Sequence, residues 1–149
     1  MRAVVQRVKR AEVKADGQTT GKIGHGLIVY LGISDQDTQR DIEYIVDKVI
    51  NLRIFEDNEN KLNLSTLDID GEILLISQFT LYGDCRRGRR PSFTQAAPPD
   101  RAKTLYEQTI QQFKDKKVRI ETGKFQAMME IYSENYGPVT ILLDSNKQF

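Results

Sequence analysis

Cysteine and histidine are almost absent from this chain of 149 residues, which has one of each and no tryptophan. The single cysteine, Cys85, has no partner for a disulfide within the chain, which is typical of a reduced setting such as the cytoplasm. With only Cys85 and His25 available, Ser-His-Asp and Cys-His catalytic arrangements and a His/Cys zinc site all lack members. His25 lies between two glycines in a predicted turn, and we interpret it as a structural surface residue.

The net charge is also small, and long apolar runs are absent. The chain has 22 Lys and Arg against 21 Asp and Glu, which gives a formal net charge of +1 at pH 7. This balance does not require a nucleic acid or an anionic membrane as a partner. No apolar stretch approaches the roughly 20 residues that span a bilayer, and residues 1–7 lack the apolar core of a signal peptide. We therefore predict a cytoplasmic protein without a membrane partner.

Motifs for cofactors and metals are missing as well. The glycines within residues 21–26 have neither the Walker nor the dinucleotide spacing, so a nucleotide cofactor is not indicated. Two carboxylate pairs, Asp35 with Asp37 and Asp68 with Asp70, lie in turn-like sequence, where solvated turns are the simpler interpretation. We predict neither a cofactor nor a metal site.

The first third of the chain has strand patterns. Apolar residues make up 39% of the chain and charged residues 29%, and this length suits one core. Polar and apolar residues alternate over residues 4–13 up to Asp16-Gly17, which predicts a hairpin with a return strand at 19–23. The continuous apolar run 27–33 is typical of a strand buried on both faces.

Two segments have the spacing of amphipathic helices. Thr38 and Asp41 mark the start of the first, whose apolar residues recur between 42 and 50. The second follows the prolines at 98 and 99 and continues to about residue 114, before strand signals resume at 118–120. We predict a single α/β domain over residues 1–149, with curved, partly barrel-like β-sheets packed against two main helices.

Two short segments far apart in sequence are the strongest candidates for a site. Residues 77–82 follow the apolar run 73–76, so their polar side chains lie where a buried strand ends. Residues 135–140 join Gly137, the most permissive residue type, to Pro138, the most restrictive, before another β-rich run.

Three interpretations of the first segment stay open. Ser77, Gln78 and Thr80 are most simply hydrogen-bonding residues at a strand end. Thr80 as a nucleophile lacks a nearby His or Lys to act as its base. Backbone N–H groups around Phe79 and Thr80 need no base and can polarise an ester carbonyl, at on the order of 3 kcal/mol per donor.

Four arginines are concentrated in the predicted surface loop that follows. Guanidinium groups suit bidentate contact with phosphates, which makes nucleic acid a possible partner of this loop. A solvated loop or a subunit contact is the simpler interpretation. The arginines are Arg86, Arg87, Arg89 and Arg90.

Over essentially its whole length the chain resembles the D-aminoacyl-tRNA deacylase family. Several separated motifs in the family's order carry the resemblance, namely residues 1–8, 51–57, 77–82, 88–93, 96–99, 121–123 and 137–140. The resemblance implies hydrolysis of the ester between a D-amino acid and the terminal adenosine of tRNA, with glycyl-tRNA as a second substrate. It also implies a homodimer and no DNA partner.

The resemblance also implies residue roles. Gly137-Pro138 would be cis, would project into the partner subunit's site and would exclude an L side chain by shape. Arg7 would brace this element. The ester would be framed by Ser77, Gln78, Phe79 and Thr80, mainly through backbone donors, with help from the tRNA 2′-hydroxyl. The remaining assignments are Asn135, Thr140, Phe125 and Met129 to substrate binding and selectivity, with Phe125 and Met129 in the pocket wall, and Arg86, Arg87, Arg89 and Arg90 to tRNA.

Two positions depart from the family's pattern, and three alternatives remain. Tyr136 stands where Asp or Asn is usual, and Gln126 stands where glycine is usual. Thr80 as a covalent nucleophile is the alternative within the same reaction. A tRNA-binding module without catalysis is the alternative from another class. A relative acting on a mischarged L-amino acid is the third, if the Gly137-Pro138 bond were trans.

Overall fold

A computed structural model describes residues 1–148. Its helices are α1 (Gln39–Asn51) and α2 (Pro99–Asp115), and a short 3₁₀ turn spans Phe79–Tyr82. Its strands are β1 (Arg2–Ala15), β2 (Gln18–Ile23), β3 (Gly26–Gly32), β4 (Phe55–Glu56), β5 (Leu62–Leu64), β6 (Glu72–Ser77), β7 (Arg119–Thr122) and β8 (Met129–Asp144).

The long strand β1 organises the main sheet. Its first half pairs antiparallel with β3 and its second half with β2, while β8 runs antiparallel along its other edge. Strands β3, β6 and β7 continue the sheet in parallel. The sheet curls until its outer strands, β2 and β7, come together. A Cβ built on Gly21 of β2 would lie only 2.7 Å from the carbonyl oxygen of Thr122 in β7. The predicted fold class is therefore confirmed, with a nearly closed barrel and two helices.

Two apolar cores hold strand β6 from both sides. One core lies between the helices and the sheet and includes Ile73 and Leu75, and the other fills the barrel and includes Leu74 and Ile76. All four side chains are fully buried, and each contributes roughly 1.5–3 kcal/mol relative to an exposed one. The packing on both faces of β6 consequently holds its last residue, Ser77, in a defined position.

Local signals in the sequence place several element ends correctly. Asp16 and Gly17 both have positive φ, of 51° and 74°, as the tight hairpin turn between β1 and β2 requires. Thr38 and Asp41 form the predicted capping box at the start of α1. Within residues 1–148, neither helix is long and apolar enough to cross a membrane.

Candidate active site

The chain leaves β6 through a turn held by backbone hydrogen bonds. Ser77 is paired with Leu31 of β3, and the N–H of Gln78 donates to the carbonyl of Leu31 at 2.8 Å. The turn then closes as Leu81 donates to the carbonyl of Gln78 at 3.3 Å and Gly83 to that of Thr80 at 2.9 Å. Residues 77–80 therefore lie together at the carboxyl edge of a parallel strand pair.

Two backbone donors of this turn remain open. The N–H groups of Phe79 and Thr80 lie in the first turn of the 3₁₀ helix, where helical geometry supplies no acceptor. No hydrogen bond within residues 1–148 uses either of them. The turn thus presents two adjacent donors, which is what an oxyanion site needs.

The Thr80 hydroxyl has an amide as its partner and no base. Its oxygen accepts a hydrogen bond from the side-chain nitrogen of Gln78. Within the described chain, no His, Lys or carboxylate is hydrogen-bonded to it. The Thr80 hydroxyl therefore lacks the adjacent base that activates a hydroxyl nucleophile.

Phe79 places an aromatic ring beside these donors. Its side chain is 56% exposed and meets the ring of Phe93 edge-on, with centroids 5.0 Å apart. Phe93 comes from the end of the arginine-rich loop and had no role in the sequence analysis. No local signal identifies this pairing, because 14 positions separate the two rings in sequence.

The two predicted pocket-wall residues lie near the same end of β6. A Cβ on Gly123 would lie 2.6 Å from the Met129 sulfur and 3.2 Å from Ile76, so Met129 packs beside the strand end. The ring of Phe125 lies 5.8 Å from that of Tyr106, whose hydroxyl donates to the carbonyl of Leu75 at 2.7 Å. This burial raises the pKa of Tyr106.

One departure from the family pattern has a backbone explanation. Gln126 has φ of 59°, in the left-handed region that favours glycine. The resemblance implies glycine at this position, which fits that conformation without strain, and this chain adopts it with a larger residue.

The second segment is a bulge in β8. Gln6 pairs with Thr140 and Val8 with Asn135, so the single residue between them on β1 faces residues 136–139. The Gly137–Pro138 peptide bond is cis, as the resemblance implies, and Gly137 has φ of 128°.

Side chains brace the bulge at its base. The Asn135 side chain accepts a hydrogen bond from the Val139 N–H at 3.1 Å and donates to the Thr140 hydroxyl at 3.2 Å. Gln6 donates to the same hydroxyl at 3.2 Å. In this chain the side chains of Asn135 and Thr140 thus form hydrogen bonds at the base of the bulge, and their assignment to substrate binding and selectivity stays a prediction.

Arg7 lies beneath the bulge and is only 3% exposed. Its Nε donates to the carbonyl of Tyr136 at 2.9 Å, and its Nη1 donates to the carbonyl of Ile54 at 2.7 Å. Its Nη2 lies 3.7 Å from a carboxylate oxygen of Glu56. Arg7 thus joins the carbonyl of the bulge residue Tyr136 to the segment that contains Ile54 and Glu56, and its role in bracing Gly137-Pro138 stays a prediction.

His25 lies on the Arg7 side of the molecule and packs against Phe55. The two rings meet edge-on with centroids 5.2 Å apart. Burial, and then the charge of Arg7, lower the pKa of His25, so its neutral form is favoured. These contacts agree with the interpretation of His25 as structural.

The two segments do not meet within one chain. Arg7, under the bulge, is paired with Leu27 at the start of β3, whereas Ser77 is paired with Leu31 four residues further on. The bulge is offset from Ser77 by four residues along the strands and by three strand spacings across the sheet. Together these offsets correspond to a separation of roughly 20 Å. A site that used both segments of one chain would have to span that distance.

The arginine-rich loop contains one paired and three unpaired cations. Arg86 binds Asp84 through two hydrogen bonds, of 2.9 and 2.7 Å, which lower the pKa of Asp84 to about 2. Within residues 1–148, Arg87, Arg89 and Arg90 have no acidic partner and are exposed. The four arginines are thus not equivalent, although the sequence analysis treated them alike.

Metal ligands are not clustered in the part of the chain that the structure describes. No group of three or more His, Cys, Asp or Glu residues there is arranged to hold an ion. Asp68, one of the carboxylates considered above, instead accepts hydrogen bonds from the backbone and side chain of Ser65.

Comparison with known proteins identifies the class and then the family. The chain matches the family model described as D-Tyr-tRNA(Tyr) deacylase over residues 4–144, which places it among the hydrolases. It is 57% identical to the D-aminoacyl-tRNA deacylase of Thermotoga petrophila and 58% identical to that of Halothermothrix orenii, over 100% of both chains in each case. The chain belongs to the D-aminoacyl-tRNA deacylase family.

Solved structures share the fold. A c-Myc DNA unwinding element binding protein superposes with a TM-score of 0.91 at 42% identity, over 97% of this chain and 98% of the other. A probable eukaryotic D-amino acid tRNA deacylase superposes with a TM-score of 0.80 at 20% identity, over 95% and 97%.

Proposed function

We propose that this protein hydrolyses the ester bond of D-aminoacyl-tRNA, and also of glycyl-tRNA, in the cytoplasm. The observation that carries the proposal is the pair of open N–H donors at Phe79 and Thr80, in a chain whose full-length relatives are named D-aminoacyl-tRNA deacylases. The solved structure named as a c-Myc DNA unwinding element binding protein is 42% identical to this chain, whereas the two deacylases named above are 57% and 58% identical to it. We therefore propose tRNA, and not DNA, as the partner.

The donors act on the ester carbonyl. Water adds to the carbonyl carbon, and the N–H groups of Phe79 and Thr80 stabilise the negative charge that develops on the carbonyl oxygen, at roughly 3 kcal/mol per donor. The C–O bond to the ribose then breaks, the ribose oxygen takes a proton, and D-amino acid and tRNA are released. The neighbouring 2′-hydroxyl of the ribose helps to activate the water or the ester.

Selectivity comes from a second copy of the chain. The bulge of one protomer enters the site of its partner, where its backbone carbonyls hold the substrate amine. A hydrogen or a D side chain is accepted there, whereas an L side chain collides with the bulge. The separation of roughly 20 Å between the two segments within one chain supports this arrangement.

The exposed apolar surface of β8 supports the same homodimer. Leu142 is 56% exposed, although it lies in the strand that pairs along β1 opposite Val4. Covering such a side chain removes apolar area from water at about 25 cal/mol per Å². A second copy of the chain is the occupant we propose.

The decisive experiment compares matched substrates. Purified, chelator-treated protein is incubated with D-tyrosyl-tRNA, L-tyrosyl-tRNA and glycyl-tRNA, and release of amino acid is followed. Cleavage of the D and glycyl esters alone supports the proposal and shows that no added metal is needed. Cleavage of the L ester contradicts the selectivity, and binding without cleavage supports the non-catalytic tRNA-binding module instead.

A further inference from the structure

Two cations converge on the ring of Tyr136, at the base of the bulge. The guanidinium carbon of Arg7 lies 4.8 Å from the ring centroid and the ammonium of Lys9 lies 4.6 Å from it. Both distances are within the range of a cation–π interaction. Tyr136 is 39% exposed, whereas Arg7 is 3% exposed.

Tyr136 therefore holds Arg7 in two ways. Its carbonyl accepts a hydrogen bond from Nε, and its ring contacts the face of the same guanidinium. The opposite end of Arg7 is fixed by the carbonyl of Ile54. The guanidinium has consequently little freedom, because main chain binds it at both ends and a ring covers it.

The position of Arg7 sets the path of the bulge. Its Nη2 lies where a Cβ on Gly137 would come within 2.8 Å, so the guanidinium and the Gly137 backbone are in close contact. A displacement of the guanidinium toward Gly137 would therefore require the backbone of the bulge to shift.

We propose that Tyr136 is a positioning residue for chiral selection, whose ring fixes Arg7 beneath the Gly137–Pro138 bulge. This inference depends on the proposed function, because the bulge is taken as the element that rejects L substrates. Lys9 also contacts the ring, but the side chain next to the Gly137 Cβ position is Arg7 and not Lys9, so the role of Lys9 is secondary to that of Arg7.

The test varies the π-electron density of the ring while leaving its size nearly unchanged. Tyr136→Phe is the parent, and phenylalanines carrying one, two or three ring fluorines are then incorporated at position 136. Fluorination weakens the attraction of the ring for a cation, whereas packing is nearly constant. The measured quantity is kcat/KM for D-tyrosyl-tRNA divided by kcat/KM for L-tyrosyl-tRNA.

We expect Tyr136→Phe to keep the wild-type ratio and the ratio to fall in steps, by about tenfold at the third fluorine. In an Arg7→Gln background the dependence on fluorine should vanish, and in the matched Lys9→Gln background it should persist. Equal ratios across the series would overturn the inference, as would a dependence that Lys9→Gln abolishes and Arg7→Gln does not. A wild type that cleaves neither ester would instead refute the proposed function, and this inference with it.

Discussion

The turn after β6 and the bulge in β8 differ in what holds them in place. The turn is held by hydrogen bonds between backbone groups, and it leaves the N–H groups of Phe79 and Thr80 unused. The bulge is held by side chains, with Arg7 beneath it and Asn135 across its base. A backbone-held turn should tolerate changes of side chain, whereas a side-chain-held bulge should not.

The largest effect should come from deleting one backbone donor of the turn. Phe79→Pro removes an N–H at the first position of the 3₁₀ helix, where proline is tolerated. Gln78 before it has φ −141° and ψ 79°, outside the α region that a following proline disfavours. Relative to Phe79→Ala, which loses the same ring but keeps the donor, we expect kcat to fall about 100- to 1,000-fold.

Single-turnover hydrolysis of D-tyrosyl-tRNA measures this difference, and circular dichroism checks that both variants are folded. Equal rates for the proline and alanine variants would show that the Phe79 N–H does not contribute to the reaction.

The next effect concerns the side chain beneath the bulge. Arg7→Met keeps a long apolar stem but leaves the carbonyls of Tyr136 and Ile54 without their donor. We expect a loss of about 2–3 kcal/mol in the free energy of unfolding, because unpaired buried carbonyls are costly. Urea unfolding at fixed protein concentration measures it.

Arg10→Met is the matched control for Arg7→Met, since Arg10 lies on the same strand with a side chain that is 78% exposed. Its loss should stay below about 1 kcal/mol, as expected for an exposed ion pair. Similar losses for the two variants would mean that the bulge does not depend on Arg7.

A smaller effect is expected from adding one methyl group to the bulge. In Gly137→Ala the new Cβ would meet Arg7 Nη2 at 2.8 Å and Val139 at 2.9 Å, at a φ of 128° that L residues rarely adopt. Strain of this kind costs of order 1–3 kcal/mol, so kcat/KM for D-tyrosyl-tRNA should fall about tenfold or more.

Gly88→Ala provides the control for Gly137→Ala. Gly88 also has a positive φ, of 92°, but nothing lies within 4 Å of its Cβ position. Its activity should stay close to that of the wild type. A Gly137→Ala variant as active as Gly88→Ala would show that the bulge has room that the structure does not indicate.

The sequence was informative about the turn and much less so about the bulge. The strand end at Ser77, the hairpin at Asp16-Gly17 and the helix start at Thr38 follow from residues close together in the chain. The bulge exists because β8 pairs with β1 across more than a hundred residues and one residue faces four. Local patterns contain no information on that register, nor on the contact between Arg7 and the carbonyl of Ile54, which lies 47 residues away in sequence.

The distance between the turn and the bulge also could not be predicted from local sequence patterns, because it depends on the order of the strands in the sheet. Only the order β8-β1-β3-β6 shows that they lie far apart in one chain. The pairing of Arg86 with Asp84, in contrast, had a visible signal that the sequence analysis missed, since the two residues are only two positions apart.

The arginine-rich loop contains cations that should differ in their contribution to tRNA binding. Replacing Arg87, Arg89 and Arg90 by Gln should reduce the slope of log binding constant against log salt by roughly 2, if each contacts one phosphate. Arg86→Gln should leave the slope unchanged, because Arg86 is already neutralised by Asp84. Filter binding of tRNA over a salt series measures both. Equal slopes for the triple variant and the wild type would place the tRNA elsewhere.

The smallest effect should come from the side chain in the middle of the turn. Thr80→Ala removes the hydroxyl, whose one partner in the described chain is the Gln78 amide, and leaves the Thr80 N–H in place. We expect hydrolysis of D-tyrosyl-tRNA to stay within a few-fold of the wild type, because the donor that stabilises the oxyanion is part of the backbone. A covalent mechanism requires the opposite result, a loss of about a thousandfold or more together with a trappable acyl-enzyme in the wild type. A near-normal Thr80→Ala alongside a slow Phe79→Pro would locate the stabilisation of the oxyanion in the main chain of the turn, with no requirement for the Thr80 hydroxyl.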